Sequence, residues 1–508
     1  IRIQSEKPRK EDYGYLRSFE LMSDAAVGEV LSGNPLEFTC SVELPAELPL
    51  DEVVHTSRVV ENWGRVTHYG VVDHVEMTSS TVYQARVRVL RIEPELFVPP
   101  QPGSPVFRAD AKIQEFALRF DEMPRRMVAG MLADGQPAYF NLDFLNGTKG
   151  AHLNIAGISG VATKTSYALF LLYALFQSHP QSRAIVFNVK GDDLLYLDRP
   201  NARLTQQHRS VYQRLQLPCG PFPQVAYHAR EGGLWTLREF AERELVRFLF
   251  NDDDQTENQE IAVDRLAEVL LQATRDHAGP DLVVQAQTIQ SLEQLTALIC
   301  DTVEDAKSVW FDKAASNTRQ SIVRRLRGIT PQVSPLLRQG PGKSFDYAGQ
   351  LNVVDLHRYS EKARAFVVGG VLKALFDGRQ AQGDSHPTVY LLLDELNKYA
   401  PQHKTGPIKQ MLLDVAERGR SLGIVLLGAQ QTASEVEDRV VGNASFRITG
   451  RLETSESLKD VYGWLTSSLR HRSTLIQPGT MVISQPEVPV PLVVKFPFPA
   501  WATRSSEV

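Results

Sequence analysis

Apolar and polar positions follow two regimes along the chain. In residues 15–95 they partly alternate in short β-branched runs. The clearest are GRVTHYGVVDHVEM (Gly64–Met77) and TVYQARVRVLRI (Thr81–Ile92), with MTSST between them as a turn. Such strands and turns at this spacing predict a small barrel or sandwich. FVPPQPGSPVF (Phe97–Phe107) then places four prolines and a glycine in eleven residues and reads as a linker.

Beyond it the apolar runs become continuous: HLNIAG (His152–Gly157), AIVFNV (Ala184–Val189), LNVVDL (Leu351–Leu356), VYLLLDE (Val389–Glu395) and GIVLLGA (Gly423–Ala429). Runs of this kind predict parallel strands covered on both faces by helices, and ligands of open α/β sheets bind where such strands end. SYALFLLYALFQS (Ser166–Ser178) is apolar nearly all round, which predicts a buried helix. A long excursion separates the second and third strands. It carries helical periodicity in EIAVDRLAEVLLQATRD (Glu260–Asp276) and SLEQLTALICDTVEDA (Ser291–Ala306), after a polar loop, NDDDQTENQE. The pattern therefore divides the chain into a β domain with its linker over 1–105, an α/β core over 106–200 and 345–475, a helical insertion over 201–344, and a closing β-rich segment over 476–508.

Composition changes this picture little. At 508 residues the chain exceeds one compact core, and 43% hydrophobic with 23% charged residues is ordinary for a globular protein. The net charge of −5 gives no global pull toward nucleic acid or acidic lipid, yet leaves room for a translocase with a basic channel. Cys40, Cys219 and Cys300 form neither a C-x-x-C pair nor a disulfide framework and read as small apolar residues in a reducing cytosol. The histidines show no metal-ligand spacing. IRIQSEKPRKEDYGY lacks a signal-peptide core and no segment approaches a membrane span, so a cytoplasmic chain with no membrane partner is expected.

Candidate chemistry begins with AGISGVATKTSYA (Ala156–Ala168). A phosphate loop is spelled G-x-x-x-x-G-K-[ST]. Here Thr163 precedes Lys164, and Gly157 stands seven positions upstream of that lysine where the pattern wants six. The loop still joins an apolar strand to a buried helix and offers small residues. Gly157, Ile158, Ser159, Gly160, Val161, Ala162, Thr163 and Ser166 would surround the phosphates, with Lys164 for their β/γ charge and Thr165 for Mg2+. The competing reading is a strand–turn–helix corner with an exposed lysine. VYLLLDELNKYAP next sets Asp394 and Glu395 at the mouth of a strongly apolar strand. Adjacent carboxylates there suit a Mg2+ contact and a base that polarises water, or else two acids at a helix start. In VAERGRSLGIVLLGAQQTASE, Arg418 and Arg420 lead into the next strand and Gln430 follows it. A glutamine there can sense a γ-phosphate, and an arginine can stabilise phosphoryl charge in a neighbouring subunit. An ordinary strand-end polar residue and solvated surface charges are the alternatives.

The loop, the long excursion, LLLDELNKY, ERGRSLGIVLLGAQQ, NASFRITGRL and the closing IQPGTMVISQPEVPVPLVVKFPFP, in that order, resemble the HerA family of the HerA–FtsK superfamily. The N-terminal β domain is similar to that family's small barrel. The resemblance covers most of the chain. It implies a RecA-like P-loop ATPase core, ATP and Mg2+ at the interfaces of a homo-hexamer, and double-stranded DNA in a central channel. It also implies a partner nuclease of NurA type or a defence effector. By position, Lys164 and Thr165 would hold phosphate and Mg2+, Asp394 and Glu395 would be the Walker B pair, Gln430 the sensor, and Arg420, with Arg418 second, the arginine finger. Two departures bear on the rate of hydrolysis more than on nucleotide binding: the stretched loop, and FNVKGDD, where Asn188 replaces the usual acid and Asp192 lies close by. SNTRQSIVRRLRG (Ser316–Gly328) offers Arg319, Arg324, Arg325 and Arg327 as a basic helical face for DNA phosphates, or as a solvated face. A nucleotide-responsive scaffold that gates an effector is the second reading. A conjugation-type coupling ATPase is the third, opposed by the absence of a membrane segment.

Overall fold

A computed structural model describes residues 25–160, 163–229, 233–251, 255–305, 307–338 and 345–508. The chain forms two compact units, one through Leu118 and one from Arg119 onward.

In the first unit six strands close a barrel in the order Gly28–Asn34, Glu37–Glu43, Val82–Glu93, Gly64–Met77, Val53–Val60 and Pro105–Arg108. Alternation decides which side chains enter it: Phe38, Cys40 and Val42 point inward, with Val72, Ala85 and Val87 opposite. The two longest strands are the pair expected from Gly64–Met77 and Thr81–Ile92. At Gly70 any Cβ would come within 2.5 Å of the Val87 side chain and 2.6 Å of the Arg88 carbonyl, so the crossing requires glycine. The proline-rich stretch is not the link between units. Its last residues are the strand that closes the barrel, pairing with both Gly28–Asn34 and Val53–Val60, and the unit continues to Leu118. Pro105 opens that strand, a position where its missing N–H costs no ladder hydrogen bond.

The second unit is built on one eleven-stranded sheet. Seven strands are parallel, in the order Val225–His228, Leu351–Asp355, Arg183–Asn188, Val389–Asp394, Ile424–Gln430, Leu153–Ala156 and Phe446–Thr449. Four antiparallel strands extend it: Thr480–Gln485, Val488–Lys495, Arg126–Met131 and Pro137–Asn141. The closing β-rich segment is thus continuous with the core sheet. The central strands are buried along their whole length, as continuous apolar runs require.

Helix Lys164–Ser178 covers one face, with every residue from Tyr167 to Phe176 buried. It is apolar all round because its outer side meets Phe496, Trp501 and Phe222. Each such side chain contributes about 1.5–3 kcal/mol by leaving water. Helices Glu361–Gln382 and Pro407–Leu422 cover the other face, where Leu372 and Leu412 join Leu391 and Leu426 in one core.

The excursion adds helices Glu257–Asp276, Leu292–Asp301 and Ser316–Val333, whose Leu266, Leu295 and Ile322 enter that same core. It is not wholly helical. Val225–His228 lies inside it and forms the edge of the parallel sheet, and its base is tied by the pairing of Trp235–Thr236 with Leu337–Arg338. Among the described residues no helix is long and apolar enough to cross a membrane. None of the described His, Cys, Asp and Glu residues group in threes that could hold a metal.

Candidate nucleotide site

Strand Leu153–Ala156 lies between Ile424–Gln430 and Phe446–Thr449, and the chain turns from its end into helix Lys164–Ser178. Gly157 N donates to Gln430 O at 3.2 Å and Ile158 N to Arg451 O at 2.8 Å, which fixes the start of the loop. Ser159 and Gly160 are exposed, and Val161 and Ala162 lie outside the described residues. Thr163 caps the helix with φ 48°, ψ 34°, a left-handed conformation that glycine adopts freely. The glycine of the standard pattern has been replaced, but the backbone shape it serves is present. Thr163 Oγ1 also accepts a hydrogen bond from Gly479 N at 3.3 Å.

Lys164 is buried, and its Nζ donates to Gly157 O at 2.7 Å, spanning the loop. Burial pulls its pKa down, with Asp394 acting against that and Lys190 adding to it. The exposed-lysine corner is therefore excluded. Thr165 Oγ1 donates to Asp394 Oδ2 at 3.1 Å although 229 residues separate them. One strand, Ile424–Gln430, stands between their two strands in the sheet, so both strand ends open on the same edge.

Asp394 Oδ1 accepts from Glu395 N at 2.9 Å. Glu395, at φ 58°, lies 2.9 Å from Lys398 Nζ and 3.5 Å from Lys190 Nζ. Burial alone would raise its pKa, but the Lys398 hydrogen bond and the Lys190 charge outweigh it and hold the carboxyl below its ordinary value.

Lys164, Thr165 and Asp394 open on a cleft of ≈ 470 Å3 also lined by Ser159, Asn188, Lys190, Thr503 and Arg504, whereas Glu395 lines a neighbouring cleft with Lys398 and Glu361. Ser166 lines the first cleft as well. Asn188 Nδ2 donates to Asp355 Oδ1 and to Gly191 O, both at 3.0 Å. Two acceptors fix which way the amide points. An acid at 188 would instead set two carboxylates side by side. The Thr165 hydroxyl and the Asp394 carboxylate form a hard-oxygen donor set of the kind Mg2+ takes. Lys164 with the adjoining helix start suits phosphate.

Other expected site residues lie elsewhere. Gln430 is fully buried within the sheet, its Nε2 donating to Asn154 Oδ1 at 2.7 Å. Helix Pro407–Leu422 leads into the start of a parallel strand, so Arg418 and Arg420 lie toward the edge opposite the cleft. Arg420 donates to Gly147 O (2.9 Å) and Thr148 O (2.6 Å), and Arg418 stacks 5.3 Å from the Phe376 ring. Neither enters the cleft of its own chain. Arg319 is corrected: it is buried, and its guanidinium is spent on Val303 O and Ala314 O, both at 2.7 Å, so it presents no surface charge to DNA. Arg324 and Arg327 are exposed and Arg325 is half-buried. Sequence reasoning missed Lys190, Thr503 and Arg504. Lys190 had a signal, since it follows an apolar strand at the same edge as the Asp394–Glu395 pair.

A strand–loop–helix corner whose Lys-Thr pair meets a strand-end Asp across a parallel sheet defines a P-loop ATPase fold. Within it, the chain is similar to the bacterial conjugative coupling protein TrwBΔN70 in its unbound monoclinic form. That likeness has 12% identity, a TM-score of 0.50, and coverage of 76% of this chain and 92% of that one. VirB4 of Thermoanaerobacter pseudethanolicus gives 13% identity, 73% and 96% coverage, and a TM-score of 0.49. In sequence, a probable helicase of Methanocaldococcus jannaschii is 26% identical over 153 residues, 28% of this chain and 30% of that protein. The match thus spans less than a third of that relative's length. No family model matches the chain.

Proposed function

We propose that this chain hydrolyses ATP and uses the turnover to move double-stranded DNA through a ring, a homo-hexamer with nucleotide held at subunit interfaces. The hydrogen bond from Thr165 to Asp394 carries the reading, because it joins the loop to the strand-end acid Asp394 in one site. Backbone N–H groups at the start of helix Lys164–Ser178 and its dipole favour phosphate, and Lys164 adds a full charge. Thr165 and Asp394 would hold Mg2+, which would supply charge neutralisation at the phosphates. Glu395 would accept the proton of the attacking water. The arginine offered across an interface would be Arg418 or Arg420. Arg418 is the freer, since it lacks the two carbonyl bonds that occupy Arg420. The DNA part of the reading draws on the fold shared with TrwB and the stretch shared with the probable helicase. Arg324 and Arg327 are its candidate phosphate contacts. A partner nuclease of NurA type or a defence effector follows from the family resemblance alone.

The test is nucleotide binding and DNA-stimulated phosphate release by the purified chain. Lys164→Ala should weaken ATP binding on the order of 100-fold, the worth of a buried charge-assisted contact. Unchanged affinity would end this reading.

One observation favours the scaffold reading, in which a ring binds ATP, turns it over slowly and gates an effector. Two lysines hold the Glu395 carboxyl down, and a depressed pKa makes a weaker general base. Partner-dependent stimulation of a slow basal rate would select it.

A further inference from the structure

Lys190 follows strand Arg183–Asn188 and reaches across the cleft edge. Its Nζ lies 3.2 Å from Asp394 Oδ2 and 3.5 Å from Glu395 Oε1. Asp394 Oδ2 is also the oxygen to which Thr165 donates. A divalent ion held by Thr165 and Asp394 would need that same oxygen edge. An ammonium in contact with that oxygen and a metal ion bound to it compete, by like charge and by crowding at one carboxylate edge.

The loop around Lys190 is pinned while the side chain itself is half-exposed. Asn188 Nδ2 holds Gly191 O from within, and Asp193 N donates back to Lys190 O. From outside, Ser505 Oγ donates to Asp192 Oδ2 at 2.9 Å, and Arg504 pairs with Asp193. With the backbone held on both sides, the freedom left is that of the four-carbon lysine stem.

We propose that Lys190 is a tethered cation that competes with the divalent metal for the Asp394 carboxylate and thereby sets the metal affinity of the site. It is a positioning residue, since it acts through the carboxylate edge. The proposal rests on the ATPase reading above. A consequence is the order of loading: metal alone binds weakly, and phosphates arriving with it give the displaced ammonium a second anion to face.

The experiment titrates the full chain with Mn2+ alone, without nucleotide, and follows free ion by electron paramagnetic resonance. Mn2+ takes the same hard-oxygen donors as Mg2+. Lys190→Met keeps the stem without the charge and should bind Mn2+ on the order of tenfold more tightly than the wild type. Lys190→Arg should stay near the wild type. Circular dichroism checks that each variant is folded, and the half-exposed position tolerates either substitution. Equal or weaker Mn2+ binding by Lys190→Met, with Asp394→Asn losing the ion, overturns the role of Lys190 and leaves the ATPase reading standing. Full Mn2+ binding by Asp394→Asn overturns both.

Discussion

The parallel sheet of the second unit has two edges, and its cations behave differently at each. Where the strands end, two lysines face carboxylates, Lys190 meeting Asp394 and Glu395 and Lys398 meeting Glu395, while Lys164 is held by the loop carbonyl of Gly157. Where the strands begin, two arginines face backbone carbonyls. Buried Arg379 donates to Asp384 O, His386 O and Pro387 O, and Arg420 to Gly147 O and Thr148 O. A carbonyl is part of the fold and cannot be given up, so a guanidinium spent there acts as a brace. A carboxylate can exchange one cation for another. The contrast separates charges that hold the molecule together from charges free to do chemistry.

Breaking the exchanging edge should have the largest effect. Glu395→Gln should slow steady-state phosphate release on the order of 10²–10⁴-fold, the usual worth of a general base, while filter binding shows ATP retained. Full turnover would remove Glu395 from that role.

The bracing edge is sharpened by pH. His152 is buried there, its Nδ1 accepting from Leu426 N at 2.9 Å, and burial lowers its pKa to about 4. The unfolded chain, near 6.5, takes up a proton before the folded one does, so stability is complete above about pH 6.5 and falls as pH drops toward 4. Between pH 7 and 5 the loss should be about 2 kcal/mol, read from urea melts of the wild type against a His152→Gln variant, which should flatten that slope.

The smallest effect belongs to Arg420→Ala. Losing two partly exposed carbonyl bonds should cost about 1 kcal/mol of stability and leave turnover within a few-fold. A fall on the order of 10³ in turnover would instead move Arg420 into a neighbouring subunit's site.

How far the sequence reveals this architecture depends on what each segment buries. Val389–Asp394 and Ile424–Gln430 are legible because strands covered on both faces must be continuously apolar. Val225–His228 is not, being a short edge strand whose residues are all half-buried, without alternation. Pro105–Arg108 hides because proline clusters mark loops far more often than barrel closures. At the site, Lys164, Thr165 and Asp394 announce themselves as polar residues where apolar runs stop. Lys190 also follows an apolar run, but its pairing with Asp394, 204 residues away, is visible only from the sheet order. Arg319 misleads for the opposite reason. Its helical face reads as basic, whereas two carbonyls outside the helix allow the guanidinium to be buried.

Thr163 has a consequence for the phosphate cradle as a mechanical object. A β-branched residue in a left-handed conformation costs about 1–2 kcal/mol against the extended alternative. Its grip on Gly479, at the mouth of the hairpin formed by Thr480–Gln485 and Val488–Lys495, offsets part of that cost from outside the loop. The cradle is therefore tuned like a string with one peg set 316 residues away. Under the proposed ATPase reading, loosening that distant hairpin would detune phosphate affinity without altering any residue of the loop itself.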